Sequence, residues 1–326
     1  MLKKPKKLYK NLSNKYSYKR ECCSICGQTT TKHVRGVPIC NKCLKMKSID
    51  SQFSDEDLQL LNEIKKSNIT SKEFSLLSKH LEQSRPDTAQ PYTCKQTHVK
   101  IGVISDTHIG SKFYDSQLMD EAAKNFTKNK VNFVVHAGDI CEGHYENRRQ
   151  GSVFELTELG GDAQVKRAVE ELGKIKQPIY GITGNHEYNT FYRLCGFEIG
   201  EQLQDKLPNF HYLGNAKGVI NLPFGQKMEL IHPDGGTAYA LSYKPQKIIE
   251  AMDGGTKPAI AVIGHFHKME HLYYRNVHTF QAGCLQSQTT FMRNRSISAG
   301  KGYWILDVKV GKKGISSIKT EMFNAY

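Results

Sequence analysis

Five short clusters of aspartate, histidine and asparagine lie between residues 106 and 267, and most of them contain a glycine. They are Asp106-Thr107-His108, Gly138-Asp139, Gly184-Asn185-His186-Glu187, His232 and Gly264-His265-Phe266-His267. Carboxylate oxygen, imidazole nitrogen and amide oxygen together suit borderline and harder divalent ions such as Mn²⁺, Fe²⁺ or Zn²⁺. The clusters therefore predict a metal centre.

The number of donors indicates two ions rather than one. The seven candidate ligands are Asp106, His108, Asp139, Asn185, His232, His265 and His267. Seven donors are enough for two ions that share one bridging carboxylate. Two ions about 3.5–4 Å apart can hold a hydroxide between them and clamp the attacking and leaving oxygens of a phosphoryl group. The pattern therefore favours metal-dependent hydrolysis of a phosphate ester.

Each cluster follows a short apolar segment that reads as a strand. The predicted strands are 98–104, 131–137, 178–183, 228–231 and 259–263, and the predicted helices are 115–128 and 162–175. Alternation of strand and helix predicts an α/β fold with parallel strands. Polar residues at the carboxyl ends of such strands lie where an open α/β sheet places its site.

These motifs, in this order over about residues 98–310, resemble the calcineurin-like metallophosphoesterase superfamily, whose pattern is D-x-H, G-D-x-x-[DE], G-N-H-[DE], a lone histidine and G-H-x-H. The resemblance implies a four-layer α/β/β/α sandwich. It also implies one ion held by Asp106, His108, His267 and Asp139, and a second held by Asn185, His232, His265 and Asp139. In the same pattern His186 faces the leaving group or the equatorial oxygens of the phosphoryl group, and Glu187 orients it. The predicted catalytic residues are therefore His186, Glu187 and Asp139.

One departure from the family pattern bears on the substrate. The protein Ser/Thr phosphatase branch has a phosphate-binding arginine soon after the acid of its second motif, whereas here Gly143 follows Glu142. Arg148 and Arg149 come later and either contact a nucleic-acid backbone or are solvated. Segments 231–236 and 286–289 resemble microbial and phage phosphoesterases grouped with DNA-repair exonucleases. We therefore predict a phosphodiesterase that acts as a nuclease on DNA or RNA.

Two alternatives to a nuclease stay open. The chain could be a phosphomonoesterase or a small-nucleotide phosphodiesterase. It could also be a non-catalytic nucleic-acid-binding subunit with a vestigial phosphoesterase fold, although donors at all seven positions argue against that alternative.

Cysteine pairs near the N-terminus predict a second metal site. Cys23-x2-Cys26 and Cys40-x2-Cys43 are separated by 13 residues, a spacing that fits one structural Zn²⁺ in a zinc ribbon. Cys22 or His33 could replace one ligand, and a redox-active pair is the alternative interpretation. Among the basic residues around the pairs, Arg35, Lys42 and Lys45 are candidate nucleic-acid contacts. A ribbon that docks a protein partner is the alternative.

The positive charge is concentrated in the same region. Residues 1–50 hold 13 of the 46 Lys and Arg residues but only 2 of the 32 Asp and Glu residues, so 11 of the 14 net positive charges lie there. A basic arm of this kind suits a polyanion, nucleic acid more readily than a membrane, because no amphipathic helix accompanies it. A solubilising tail is the alternative.

Composition indicates an intracellular globular protein, with 38% hydrophobic and 24% charged residues. No window approaches the roughly 18 apolar residues of a membrane span, and no secretory signal is evident. Nine cysteines, an odd number, do not suggest a disulfide framework. The predicted organisation is a basic arm (1–20), a zinc-ribbon-like module (21–50), a helical pair (54–83), a linker (84–97) and the phosphoesterase domain (98–326). A cytoplasmic location follows (a host cytoplasm for a phage protein), and the oligomeric state stays open.

Overall fold

The computed structural model of the chain describes residues 91–144, 153–253, 255 and 257–325, together with four two-residue strands between residues 21 and 38. The chain divides into two units, Met1–Glu82 and Gln83–Tyr326. In the first unit the short strands form two antiparallel pairs, Glu21–Cys22 with Thr29–Thr30 and His33–Val34 with Val37–Pro38. The four predicted zinc ligands, the basic arm and the predicted helical pair lie outside the described residues.

The second unit holds two six-stranded sheets and their helices. The strands are β1 (Tyr92–Thr93), β2 (His98–Ile104), β3 (Phe133–Ala137), β4 (Ile179–Thr183), β5 (Phe210–Asn215), β6 (Lys217–Asn221), β7 (Lys227–Ile231), β8 (Ile260–Ile263), β9 (Met269–Tyr274), β10 (Val277–Ala282), β11 (Gly302–Gly311) and β12 (Gly314–Asn324). The α-helices are α1 (Ser116–Lys128), α2 (Gly161–Leu172), α3 (Asn185–Glu187), α4 (Arg193–Cys195), α5 (Ile199–Lys206), α6 (Tyr243–Glu250) and α7 (Thr290–Asn294). The described residues of this unit also form short 3-10 turns at Val153–Glu155 and Pro223–Gly225 and a π-helical turn at Tyr188–Tyr192.

The two sheets place parallel strands at their centres. Sheet A has the order β12-β11-β2-β3-β4-β5, and sheet B has the order β9-β10-β8-β7-β6-β1. In sheet A, β2, β3, β4 and β5 run parallel, and the β11–β12 hairpin joins β2 antiparallel. In sheet B, β7, β8 and β10 run parallel. The carboxyl ends of the parallel strands therefore lie together at one edge of each sheet.

Three apolar clusters define four layers. One cluster fills the space between the sheets, with Val135 from sheet A and Val262 from sheet B among its members. A second packs α1, α2 and α5 on the outer face of sheet A, and it includes Phe126. A third packs α6 on the outer face of sheet B through Ile249. Because the central strands pack on both faces, their residues are mostly apolar, as in β3 (FVVHA) and β8 (IAVI). The predicted four-layer α/β/β/α sandwich is confirmed.

One short strand lies within the predicted linker. Residues 92 and 93 form β1 of sheet B, which pairs parallel with β6. Tyr92 stacks on Tyr180 with ring centroids 3.9 Å apart, and Cys94, directly after the strand, is buried. Part of the predicted linker therefore packs against the phosphoesterase domain.

Candidate metal centre

The candidate ligands all follow strands whose carboxyl ends meet. Asp106 and His108 follow β2, Asp139 follows β3, and Asn185 opens α3 directly after β4. From sheet B, His232 follows β7, while His265 and His267 follow β8. Because β2, β3 and β4 are neighbours in one sheet and β7 and β8 in the other, the seven side chains are brought together from both sheets.

Most of these residues lie at sharp turns. Positive φ angles of 49°, 50°, 51°, 76° and 50° occur at five of the candidates, which are Asp106, His108, Asp139, His265 and His267. This left-handed region is uncommon for residues other than glycine, although Asn, Asp and His enter it more readily than most. The turn sends each side chain back over the end of its own strand and into the shared cleft.

Two glycines permit the close approach. A Cβ atom at Gly138 would collide with the ring of His232, and a Cβ atom at Gly184 would collide with the Asp139 carboxylate. Gly138 also has a φ of 95°, which a side chain would disfavour. The glycines of the G-D and G-N-H motifs are therefore required by the packing of the ligands themselves.

A first group of donors consists of Asp106, His108 and His267, which are all buried. The Nε2 atoms of His108 and His267 face each other at 3.0 Å. Asp106 Oδ1 lies 3.2 Å from His267 Nε2 and 4.0 Å from His108 Nε2. The two imidazole nitrogens and the carboxylate oxygen lie within 4.8 Å of one another, an arrangement that could hold a metal ion.

A second group contains His232, His265 and Asn185. Asn185 Oδ1 lies 3.1 Å from His232 Nε2 and 2.7 Å from His265 Nδ1. His232 Nε2 also lies 3.1 Å from Asp139 Oδ2. Nitrogen and oxygen donors again converge.

Asp139 lies between the two groups. Its Oδ1 accepts the backbone N–H of His186 at 2.9 Å, so Oδ2 is the oxygen that faces the candidate metal ligands. Oδ2 lies 3.1 Å from His232 Nε2 on one side and 3.9 Å from His108 Nε2 on the other. The position is that of a carboxylate shared by two groups of ligands.

The second ring nitrogen of His186 lies near the same place. Its Nδ1 lies 2.6 Å from the carbonyl oxygen of Glu142, and its Nε2 lies 3.8 Å from Asp139 Oδ2. A ring that donates from Nδ1 to a carbonyl presents Nε2 to the cleft.

The Glu187 carboxylate bonds the backbone of two loops. It accepts the backbone N–H groups of Cys141 at 2.7 Å and Gly184 at 2.8 Å. It thereby ties the loop after β3 to the loop after β4, and it is buried. The charge of Glu187 also contributes to raising the pKa of His186, and its role in orienting that ring stays a prediction.

Two residues outside the predicted site support His108. Glu142 Oε2 lies 3.1 Å from His108 Nδ1, and Gln286 Nε2 donates to the same carboxylate at 2.8 Å. Both are buried. The sequence singled out Glu142 only as the acid of the second motif, and Gln286 only through its resemblance to microbial phosphoesterases. Their contact joins residues 144 positions apart, which no local pattern reports.

The charges of the buried groups fit a divalent cation. Burial alone would raise the pKa of Asp106, but the charge and hydrogen bond of His267 lower it to about 2. Burial alone would lower the pKa of His232, but the Asp139 carboxylate raises it to about 9. Proton charge on buried imidazoles compensates the two carboxylates, and this is the charge that metal ions would supply. The residues present therefore fit the metals that the sequence predicts.

The centre opens into a cleft of about 760 Å³. Its lining includes Asn189 after α3, Asp234 and Thr237 after β7, and Phe291 and Arg295 around α7. Of the five predicted nucleic-acid contacts, Arg35, Lys42, Lys45, Arg148 and Arg149, none lies among the described residues.

Comparison with known families decides the classification. A family model for the calcineurin-like phosphoesterase superfamily domain matches residues 99–309, a range that holds all seven candidate ligands. The chain belongs to this superfamily. The resemblance predicted from the motifs is thereby confirmed. The protein is a metallophosphoesterase, a hydrolase that acts on phosphoester bonds, with residues positioned to bind metal.

Solved structures with a similar chain course include other phosphoesterases. An archaeal phosphodiesterase is 17% identical, with a TM-score of 0.40, over 69% of this chain and 99% of its own. Yfce, a phosphoesterase from E. coli, is 16% identical, with a TM-score of 0.38, over 68% of this chain and 98% of its own. Vps29 from Chaetomium thermophilum is 11% identical, with a TM-score of 0.39, over 70% of this chain and 97% of its own. No curated protein sequence matches the chain.

Within the part of the chain that the structure describes, no helix has both the length and the apolar composition needed to cross a membrane.

Proposed function

We propose that this metallophosphoesterase is a two-metal phosphodiesterase that cleaves nucleic acid. The observation that carries the two-metal part is the position of the Asp139 carboxylate between two groups of donors. One ion would be held by Asp106, His108 and His267 with Asp139, and the other by Asn185, His232 and His265 with Asp139. When bound, two such ions activate water and neutralise charge on the transferring phosphoryl group.

His186 is the proposed proton donor to the leaving oxygen. Its Nδ1 is committed to the Glu142 carbonyl, so the proton available to the substrate is the one on Nε2. Burial alone would lower the pKa of His186, but the charges of Asp139 and Glu142 raise it above its ordinary value. A protonated ring directed into the cleft suits a general acid.

Two features favour a diester of nucleic acid over a monoester of protein. Gly143 stands where the protein phosphatase branch carries its phosphate-binding arginine, so a terminal phosphate dianion would lack that bidentate partner. The concentration of net positive charge in residues 1–50 also suits a long polyanion.

The test is hydrolysis by the full chain loaded with Mn²⁺ of labelled single-stranded DNA, duplex DNA and RNA, beside a chromogenic diester and a chromogenic monoester. Cleavage of a nucleic acid with little monoesterase activity supports the proposal. Hydrolysis of the monoester in preference to every diester would overturn it. The matched negative control is the Asp139→Ala variant, which removes the shared carboxylate and excludes a contaminating nuclease.

We also propose that the N-terminal cysteines hold one structural Zn²⁺ and that the surrounding basic residues clamp nucleic acid. A single substitution in the full chain, Cys40→Ser, removes a ligand without removing positive charge. If the proposal holds, the variant loses its zinc, and its affinity for a long oligonucleotide falls because metal binding and folding are coupled in such modules. Hydrolysis of a small diester serves as the internal control. Unchanged zinc content would overturn the proposed zinc site, and loss of zinc with unchanged oligonucleotide affinity would rule the clamp out.

A further inference from the structure

The cleft beside the metal centre has an uneven distribution of charge. Its described lining includes the acids Asp139, Glu142 and Asp234, and its only lysine or arginine among those described residues is Arg295. Phosphate groups of a substrate are anionic, so a permanent cation in the lining is a candidate contact for any phosphate that the metals do not take.

The Arg295 side chain is available for a ligand. It is exposed, and its guanidinium lies 4.7 Å from the centre of the Phe291 ring. Within the described residues no carboxylate forms an ion pair with Arg295, whereas Lys301 nearby in the chain is paired with Asp115 at 2.7 Å. Stacking on an aromatic face holds the guanidinium plane while its N–H groups stay free to donate.

The segment that carries Arg295 is fixed to the ligand loops. The backbone N–H of Leu285 donates to the carbonyl of Asp106 at 3.1 Å. Further along, Thr289 Oγ1 accepts the backbone N–H of Met292 at 3.2 Å and begins α7. The backbone N–H of Arg295 then donates to the carbonyl of Met292 at 3.1 Å. Since the same segment supplies Gln286 to Glu142, Arg295 and Phe291 are held in a defined position relative to the metal centre.

We propose that Phe291 and Arg295 form a subsite for the nucleotide next to the scissile bond, with Arg295 binding its phosphate and Phe291 stacking on its base. This inference rests on the proposed function. Arg295 is exposed at the rim, whereas the donors around Asp139 are buried at the floor, so the arginine is placed for a flanking phosphate and not for the scissile one. Aromatic stacking with arginine contacts is the usual way in which proteins hold single-stranded nucleic acid.

Asp234 also lines the cleft, in the loop after β7. Its carboxylate would repel a phosphate, so we expect the flanking phosphate of a substrate to lie beside Arg295 and not beside Asp234.

The experiment compares two substrates that differ only in flanking phosphates. A dinucleoside monophosphate has a single, scissile phosphate, and a tetranucleotide of the same base adds flanking ones. We expect Arg295→Gln to lower the ratio of kcat/KM for the tetranucleotide to kcat/KM for the dinucleoside monophosphate by about 10- to 100-fold, the loss of a charge-assisted hydrogen bond. Phe291→Leu should lower kcat/KM for both substrates by about 10-fold through lost stacking, because both carry the base next to the scissile bond.

The matched control is Arg293→Gln. Arg293 is exposed on the same short helix but does not line the cleft, so this variant removes the same charge from nearly the same place. Arg293→Gln should leave the ratio of kcat/KM values within about twofold of the wild-type ratio. Only Arg295→Gln should flatten the dependence of log kcat/KM for the tetranucleotide on log salt concentration, by the contribution of about one phosphate contact. Because Arg295 is exposed, the unfolding temperature should match that of wild type.

Each other outcome overturns a stated claim. Equal losses on both substrates would mean that Arg295 holds the scissile phosphate, and equal effects of Arg295→Gln and Arg293→Gln would mean that only general charge matters; either result rejects the subsite and leaves the nuclease intact. A wild-type protein that hydrolyses bis(p-nitrophenyl) phosphate but neither nucleotide substrate would instead reject the proposed function, and the subsite with it.

Discussion

The two halves of the metal centre support their histidines by different means. On the side of Asp106, the ring of His108 contacts the Glu142 carboxylate, which in turn accepts a hydrogen bond from the Gln286 side chain. On the side of Asn185, the rings of both histidines are backed by main-chain carbonyls. His232 Nδ1 lies 2.7 Å from the Ala137 carbonyl, and His265 Nε2 lies 2.5 Å from that of Gly235.

The two halves of the metal centre therefore depend on different parts of the chain, side chains in one and main-chain carbonyls in the other. A carboxylate behind an imidazole fixes its tautomer and raises its basicity more than a neutral carbonyl does. The carbonyls of Ala137 and Gly235 are present whatever their side chains, so the second half is built into the course of the backbone. The first half depends on particular side chains and can be changed one residue at a time. Substitutions should therefore separate the two halves.

Removing the group that the halves share should have the largest effect. Asp139→Ala should empty both halves of metal, and activity should fall about a thousandfold or more, the equivalent of several kcal/mol of transition-state stabilisation. Metal content by mass spectrometry and kcat/KM on a dinucleoside monophosphate measure the two effects. Asp120→Ala, a change at an exposed carboxylate paired with Lys174, is the control. Loss of a single ion from the Asp139 variant would show that the carboxylate serves one half only.

Removing the proposed acid should leave both halves loaded. His186→Ala should slow turnover by roughly 10²–10⁴-fold while the protein keeps two ions. The substrate must have a poor leaving group, because nitrophenolate needs no proton and would hide the loss. A variant that turns over the poor substrate within about tenfold of wild type would exclude His186 from the mechanism. Loss of one ion would instead make His186 a ligand.

Weakening the support of His108 should affect one half alone. Glu142→Gln keeps the shape of the side chain but removes its charge, and it should weaken one of two metal affinities by about 10- to 100-fold. A calorimetric titration of metal-free protein resolves the two affinities. The comparison between the halves would be wrong if both affinities fell together.

Removing Gln286, which contacts Glu142 but not the ring of His108, should have the smallest effect of the four changes. Gln286→Leu removes the donor to Glu142 Oε2 and should lower the free energy of unfolding by about 1–3 kcal/mol. Urea denaturation of the metal-free protein measures this loss. Gln288→Leu, two residues away at an exposed position whose side chain bonds the Ile297 carbonyl, is the matched control. Equal destabilisation by the two variants would remove Gln286 from the support of the site.

Much of the fold could be predicted because its central strands are mostly apolar and end in polar turns. The strand 98–104 was predicted with the bounds that β2 has in the structure, and the strands that became β3, β4, β7 and β8 were displaced by at most two residues. The edge hairpin β11–β12 was not predicted. β12 alternates irregularly between half-buried and exposed residues, so its sequence lacks the period that identifies a strand.

The residues of the candidate centre could be chosen from the sequence, but their supports could not. Donor type and position after a strand were sufficient to collect Asp106, Asn185 and His232. The partners of the histidine rings depend on distant residues such as Gln286, or on main-chain carbonyls that every residue possesses. Such contacts become visible only when the backbone is folded. The two backbone N–H groups that the Glu187 carboxylate accepts are contacts of the same kind.

The left-handed backbone at five candidate ligands has a consequence for how such a protein changes over generations. Each non-glycine residue in that conformation costs the fold on the order of 1 kcal/mol. A substitution by glycine would remove this cost, but it would also remove the side-chain atom that could bind metal. Such a substitution should therefore raise stability and lower activity at each of the five positions, which are Asp106, His108, Asp139, His265 and His267. Donors at all five positions are what selection for metal binding, and not for stability, would leave behind.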